Sequence, residues 1–161
     1  MDMILDTNIA STFGKIERFD LLGALFPNSK LFVSSSVEVE LGRAEKWPAL
    51  AKTIMKNVKA IKPVDHEKKL TEKLLSKRSI GKAEAECIAI AKSQGMLLLT
   101  NDKIAVKEAR KAGADVMDLR AIISQLWKRN ILSKYDATLL IEKIEQKDNI
   151  IFADKEKIFM D

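Results

Sequence analysis

Cysteine and histidine are almost missing from this chain of 161 residues; each occurs once, as Cys87 and His66. A single cysteine excludes an intramolecular disulfide, and one residue of each type cannot build a Cys/His zinc site. A Ser-His-Asp or Cys-His mechanism would have to rest on His66 alone. That residue sits in Asp65-His66-Glu67-Lys68-Lys69, which reads as a solvated helix start. Long apolar runs are missing too: nothing approaches the ~18 uninterrupted apolar residues of a transmembrane helix. Met1-Asp2-Met3-Ile4-Leu5-Asp6 has neither the basic region nor the apolar core of a signal peptide. The expectation is a cytoplasmic protein with no membrane anchor. There is no linker, low-complexity stretch or internal repeat, so residues 1–161 read as a single domain.

Hydrophobic residues make up 47% of the chain and charged residues 32%, a balance that favours a folded protein with a charged surface. Lys plus Arg is 28 and Asp plus Glu is 23, a surplus of +5. A basic surplus favours an acidic partner such as a nucleic acid. With Cys and His so scarce, carboxylates are the best-supplied candidates for catalysis.

Apolar runs alternate with helix-like spacing. Met3-Ile4-Leu5 reads as a buried strand that stops at Asp6-Thr7-Asn8. Ile16, Phe19, Leu22 and Phe26 then fall at helical spacing before Pro27-Asn28. Leu31-Phe32-Val33 is a second strand, and Ser34-Ser35-Ser36 offers N-caps for a helix through about Ala44. Trp47 to Met55 reads as a helix, with Pro48 near its first turn, and Val58 to Ile61 as a third strand. Helices follow over Glu67–Leu75 and Lys82–Ser93, the second stopped by Gly95. Met96-Leu97-Leu98-Leu99 is a strand ending at Thr100-Asn101-Asp102. A helix from Ile104 to Ala112 stops at Gly113, and Val116-Met117 forms a fifth strand ending at Asp118. Two further helices run from about Leu119 to Lys128 and from Lys134 to Gln146, the last with a capping box at Ser133 to Asp136. Such alternation implies an α/β fold, a mostly parallel sheet covered by helices on both faces. The core spans about residues 2–118, with the helices of about 119–146 packed on it.

In an open parallel α/β sheet the site lies beyond the carboxyl ends of the strands. Asp6, Asp102 and Asp118 each stand at such an end. Two glutamates come from helix periodicity. Glu40 shares a face with Val37, Leu41 and Ala44, and Glu84 with Cys87, Ile88 and Ala91; each is the one carboxylate on its apolar face. Glu86 falls with Ala83, Ile90 and Ser93, on a side the spacing leaves open. Carboxylates on buried faces are costly unless neutralised, and crowded ones repel each other. Mg²⁺ or Mn²⁺, which prefer oxygen ligands, would relieve that repulsion and could activate a water toward a phosphodiester. Each acid also has a plain structural alternative. Asp102 and Asp118 suit helix caps, and Glu40 and Glu84 suit the rim of an imperfect helix face. Asp6 has no evident structural role. Cys87 suits a small core position, and Trp47 and Trp127 suit packing anchors.

These segments resemble the motifs of PIN-domain ribonucleases. Asp6-Thr7-Asn8 after its strand resembles the opening Asp-x-Asn of the family, and Val37 to Leu41 its second acidic motif. Gly81-Lys82-Ala83-Glu84-Ala85-Glu86 followed by Ile88-Ala89-Ile90-Ala91 resembles the third, although a common second glycine is Ala83 here. Leu97-Leu98-Leu99-Thr100-Asn101-Asp102 resembles the fourth. The resemblance covers residues 2 to about 118 and is nearest the toxin-like group of bacteria and archaea. It implies a three-layer α/β/α sandwich with strand order 3-2-1-4-5 and an acidic Mg²⁺/Mn²⁺ pocket that cleaves RNA.

Carried over, the catalytic acids are Asp6, Glu40, Glu84 and Asp102. Asp6, Glu84 and Asp102 would hold the metal, and Glu40 would complete the shell or act through water. Asn8 and Thr100 resemble supporting polar residues. Lys82, Lys103, Lys107 and Arg110 are candidates for gripping phosphates, with surface solubility as the alternative. The expected function is a metal-dependent endoribonuclease, the toxin of a toxin–antitoxin pair, acting as a homodimer with an antitoxin partner. The alternative is a non-catalytic RNA-binding PIN-like domain in a larger assembly. A two-aspartate phosphatase would want an acid where Asn8 stands, and a receiver would want paired acids beside its first strand, where Asp2 lies on the wrong side.

Overall fold

The computed structural model describes residues 1–43, 48–77 and 79–160. Five short strands form one sheet: β1 (Met3–Leu5), β2 (Leu31–Ser34), β3 (Lys59–Ile61), β4 (Leu97–Leu99) and β5 (Val116–Met117). Their order is β3-β2-β1-β4-β5, and every pairing is parallel. Every residue of β1 and β4 is buried, which is why both read as continuous apolar runs rather than as alternating ones.

The strand order dictates the layers. From β1 the chain steps outward to β2 and β3, then returns to β4 on the other side of β1. Right-handed crossovers put the helices of the two journeys on opposite faces. The first journey carries α1 (Thr7–Lys15), α2 (Phe19–Leu25), α3 (Ser35–Gly42) and α4 (Pro48–Met55). The second carries α5 (Asp65–Leu75) and α6 (Lys82–Gln94). Then come α7 (Lys103–Ala112), α8 (Leu119–Lys128), α9 (Lys134–Asp148) and a 3-10 helix at Lys155–Phe159. The result is a three-layer α/β/α sandwich whose switch point lies between β1 and β4. Among the described residues no helix is long and apolar enough to cross a membrane.

α6 is the central helix, packed on β1, β2 and β4 with α5 and α7 as neighbours. Its small residues let it approach the sheet closely; Ala83, Ala85, Cys87, Ala89 and Ala91 are all buried. Gly95 and Gly113 end α6 and α7 at φ +63° and +81°, a backbone conformation that costs other residues a Cβ clash. α9 reaches back to α1, where Lys15 meets Asp148 at 2.9 Å, and Trp127 of α8 packs edge-on against Phe159.

The first helical region departs from expectation. The spacing of Ile16, Phe19, Leu22 and Phe26 implies one helix, but the helix starts directly after Asp6 and ends at Lys15. The chain then turns through Glu17 at φ +55° and resumes as α2. Ile16, Phe19 and Leu22 are buried all the same, while Phe26 is only partly buried against the core. The expected helix from Trp47 begins at Pro48 among the described residues; Trp47 and Ala44 lie outside them.

Candidate active site

Asp6 follows the last residue of β1 and is the N-cap of α1. Its Oδ1 accepts the backbone N–H of Ile9 at 2.7 Å. The Thr100 hydroxyl, at the end of β4, donates to Oδ2 and in turn accepts the N–H of Asp102 at 3.2 Å. The strand ends of β1 and β4, paired across the switch point, therefore bring Asp6, Thr100 and Asp102 together. Asp6 is 2% exposed. Burial, opposed by these two hydrogen bonds and reinforced by the charges of Glu84 and Asp102, pushes its carboxyl up to about 6. The structure thus gives Asp6 a role the sequence did not suggest: it caps a helix as well as lying among acids.

Asp102 also caps, accepting the N–H of Ala105 at 2.8 Å at the start of α7. Its second oxygen takes no hydrogen bond among the described residues. Asp118 caps α8 through the N–H of Ala121 at 2.8 Å. Its observed part is that of a cap.

Glu84 lies in the first turn of α6, half-buried, with no hydrogen bond or ion pair among the described residues. It folds back over Gly81. A Cβ placed on Gly81 would stand 2.5 Å from Glu84 Oε2, so the missing side chain is what gives this carboxylate its room.

Glu40 corrects an expectation. Periodicity places it on the buried face of α3, but only Val37 and Leu41 of that helix are buried, while Glu38, Val39 and Glu40 are exposed. The helix has eight residues and buries only the narrow stripe of Val37 and Leu41, so Glu40 falls on its exposed flank. Glu40 meets the site at its edge, accepting the hydroxyl of Thr7, the residue after Asp6.

The acid that sequence reasoning missed is Glu86. It is 4% exposed and accepts three hydrogen bonds at the start of α3: Ser35 Oγ at 2.9 Å, Ser36 N at 3.0 Å and Ser36 Oγ at 2.8 Å. Burial opposes ionisation here, but these donors outweigh it and hold the carboxyl below its ordinary range. Glu86 ties α6 to α3 and so sets where Glu40 stands. The serine run ahead of a helix was the available signal, since free N–H groups there attract a carboxylate. Cys87, next to it, is a buried core residue whose thiol burial pushes up.

Hard carboxylate oxygens are the donors that Mg²⁺ and Mn²⁺ prefer. Asp6, Glu84 and Asp102 suit such an ion chemically: the charges of Glu84 and Asp102 raise the proton affinity of Asp6, and among the described residues no cation is paired with them. As they stand, no three acidic, His or Cys side chains among the described residues sit close enough to hold an ion. Glu84 is the one with no hydrogen bond or ion pair to hold it among the described residues. On one side of the acids a groove of ≈ 890 Å³ runs between α3, α5 and α6, lined by Glu40, Arg43, Lys62, Lys68 and Lys82 among others. Lys103, Lys107 and Arg110 are exposed along α7.

No curated protein matches this chain. Among solved structures it is similar to VapBC2 from Rickettsia felis, determined bound to a DNA fragment from the promoter. The identity is 18% and the TM-score 0.56, over 73% of this chain and 98% of that one. It is likewise similar to VapBC-1 from nontypeable Haemophilus influenzae, at 20% identity and a TM-score of 0.57 with the same coverage. At such identities the likeness concerns the fold. The family DUF3368, described as a PIN domain, matches residues 2–156. With that match spanning nearly its whole length, the chain belongs to the PIN-domain family.

Proposed function

We propose that this chain is a metal-dependent endoribonuclease, the toxin of a toxin–antitoxin pair, working as a homodimer in the cytoplasm. The observation that carries the reading is the state of Asp6: a buried carboxylate at the switch point, pushed up to about 6 with Glu84 and Asp102 contributing. A purely structural cap does not need two further acids beside it. Family membership and the VapBC assemblies of the same fold support the nuclease class and an antitoxin partner.

Mg²⁺ or Mn²⁺, held by Asp6, Glu84 and Asp102, would supply counter-charge to the carboxylates and to the phosphate under attack. The chain's own groups do the rest. Thr100 fixes the rotamer of Asp6 through its hydroxyl. Thr7 holds one oxygen of Glu40 and leaves Oε1 to take a proton from water at the edge of the site. Asn8 stands in the first turn of α1, two residues after Asp6. Lys82, Lys103, Lys107 and Arg110 grip phosphates on either side.

The test is cleavage of single-stranded RNA by purified protein with Mn²⁺ or Mg²⁺. EDTA should abolish it, and Asp102→Asn should slow it by about 100-fold or more. RNA that is retained but never cut under these conditions is the result expected of the non-catalytic RNA-binding alternative. Undiminished cleavage by the Asp6→Asn/Asp102→Asn double variant would remove these acids from the mechanism.

A further inference from the structure

A second, smaller depression opens on the other side of the acids, a cavity of ≈ 280 Å³ between α1, the start of α8 and the end of α9. Asn8, Ser11 and Asn101 line it, with Leu119 and Ile150 as apolar walls. Asn8 lies two residues after Asp6, and Asn101 directly precedes Asp102, so the cavity shares its rim with the acids. We propose that it is a nucleobase pocket, seating one unstacked base of single-stranded RNA next to the phosphate that is cut. The proposal rests on the ribonuclease reading and adds to it a site of base selection.

Three observations point to a base rather than to a phosphate or a peptide. The first is charge. The one cation in the lining, Lys15, is engaged by Asp148 at 2.9 Å, and Thr12 donates its hydroxyl to the same carboxylate. The back wall is therefore neutralised and gives a phosphate little to hold. The second is hydrogen bonding. The side chains of Asn8, Ser11 and Asn101 take no hydrogen bond among the described residues. Each amide offers two donors and an acceptor, and base edges alternate donors with acceptors in the same way. The third is size and shape. The volume falls just below the range for drug-sized ligands, so it suits one ring system. Apolar walls beside polar groups match a base, which has apolar faces and a polar edge. The Asp148 clamp joins the end of α9 to α1 and so holds the far wall in place.

The test uses the intact chain in EDTA, titrated with each of the four nucleoside 5′-monophosphates and followed by NMR. At least one nucleotide should shift the side-chain amides of Asn8 and Asn101 and the backbone amide of Ser11. Ribose 5-phosphate and inorganic phosphate should not. Ser11→Phe, which fills the cavity from a half-exposed helix position, should abolish those shifts. In cleavage assays with metal it should reduce the preference between bases at one position of the cut site by about tenfold, the worth of a hydrogen bond or two. Equal shifts from ribose 5-phosphate, shifts that survive Ser11→Phe, or no shift with any nucleotide would overturn the pocket. Cleavage that ignores base identity at every position would overturn it while leaving the ribonuclease reading intact. Nucleotide shifts without RNA cleavage would overturn the ribonuclease reading and support the pocket.

Discussion

Asp6 is caught between two demands. Its carboxylate satisfies an orphan N–H of α1 and the Thr100 hydroxyl, yet it is buried with Glu84 and Asp102 acting on it. The second demand wins, since its carboxyl lies at about 6 against an ordinary 3.8. Between those two values the folded chain binds the proton more tightly than the unfolded one. Its stability contribution is therefore fully present below the ordinary value and is lost as pH rises through about 6. A shift of this size is equivalent to about 3 kcal/mol. Asp6→Asn keeps an acceptor for the Ile9 N–H and removes the charge. In EDTA near neutral pH it should stabilise the fold by about 1–2 kcal/mol, with the gain gone by about pH 4. Denaturant titrations at the two pH values measure this. Added Mn²⁺ should raise the Tm of the wild type and not of the variant. A variant less stable than wild type at neutral pH in EDTA would mean that the cap outweighs the repulsion. Glu86 behaves in the opposite sense: three donors hold it ionised, so its contribution is lost only as pH falls.

At the scale of elements, the start of α6 joins helix geometry to the site. Gly81 is the N-cap of α6 at φ −80° and ψ 167°, a conformation alanine adopts without strain. Gly81→Ala should therefore cost about 1 kcal/mol or less in stability. Its Cβ would displace the Glu84 carboxylate. Calorimetry should then show Mn²⁺ affinity lowered by about tenfold with Tm almost unchanged. Unaltered affinity would show that Glu84 binds no metal from this position. Much of the element pattern was legible in the sequence: the buried strands β1 and β4, the glycine stops of α6 and α7, and the Ser34, Asp102, Asp118 and Ser133 caps. What escaped has physical causes. Helical periodicity assumes one buried face, but α6 is buried almost all round, so the spacing could not place Glu86. Nor does periodicity say how wide the buried stripe of a helix is; α3 buries only Val37 and Leu41, which leaves Glu40 in solvent. The α1 segment contains few strong helix formers, and it is the Asp6 cap and tertiary packing that start it there. The likeness of motifs brought Asp6, Glu84 and Asp102 forward together, and the pairing of β1 with β4 explains why Asp6 and Asp102, so far apart in sequence, stand at neighbouring strand ends.

The whole molecule carries +5, and part of that basic surplus edges the acids at the ends of β1 and β4. Arg43, Lys62, Lys68 and Lys82 edge the groove on one side, and Lys103, Lys107 and Arg110 follow α7 on the other. A polyanion is repelled by the acids and held by these edges, so its binding should be a counterion-release process. For a single strand, log affinity falls with log salt at a slope of about −0.7 per phosphate neutralised. Charge reversal at Lys82, Lys103 or Lys107 should each weaken RNA binding and make that slope shallower by about one contact. Assembly enters the same measurement. Tyr135 and Leu139 stand one turn apart on α9 and are 71% and 44% exposed, an apolar pair of the kind an interface covers. A homodimer that joined two basic rims would double the phosphates a strand can engage and steepen the slope accordingly. Light scattering at tens of micromolar should give twice the chain mass, and Tyr135→Lys should halve both that mass and the salt slope if α9 forms the contact. A monomeric wild type would remove the dimer and leave the basic edges standing. Salt-insensitive RNA binding would remove the edges, because a polyanion held by lysines and arginines releases counterions when it binds.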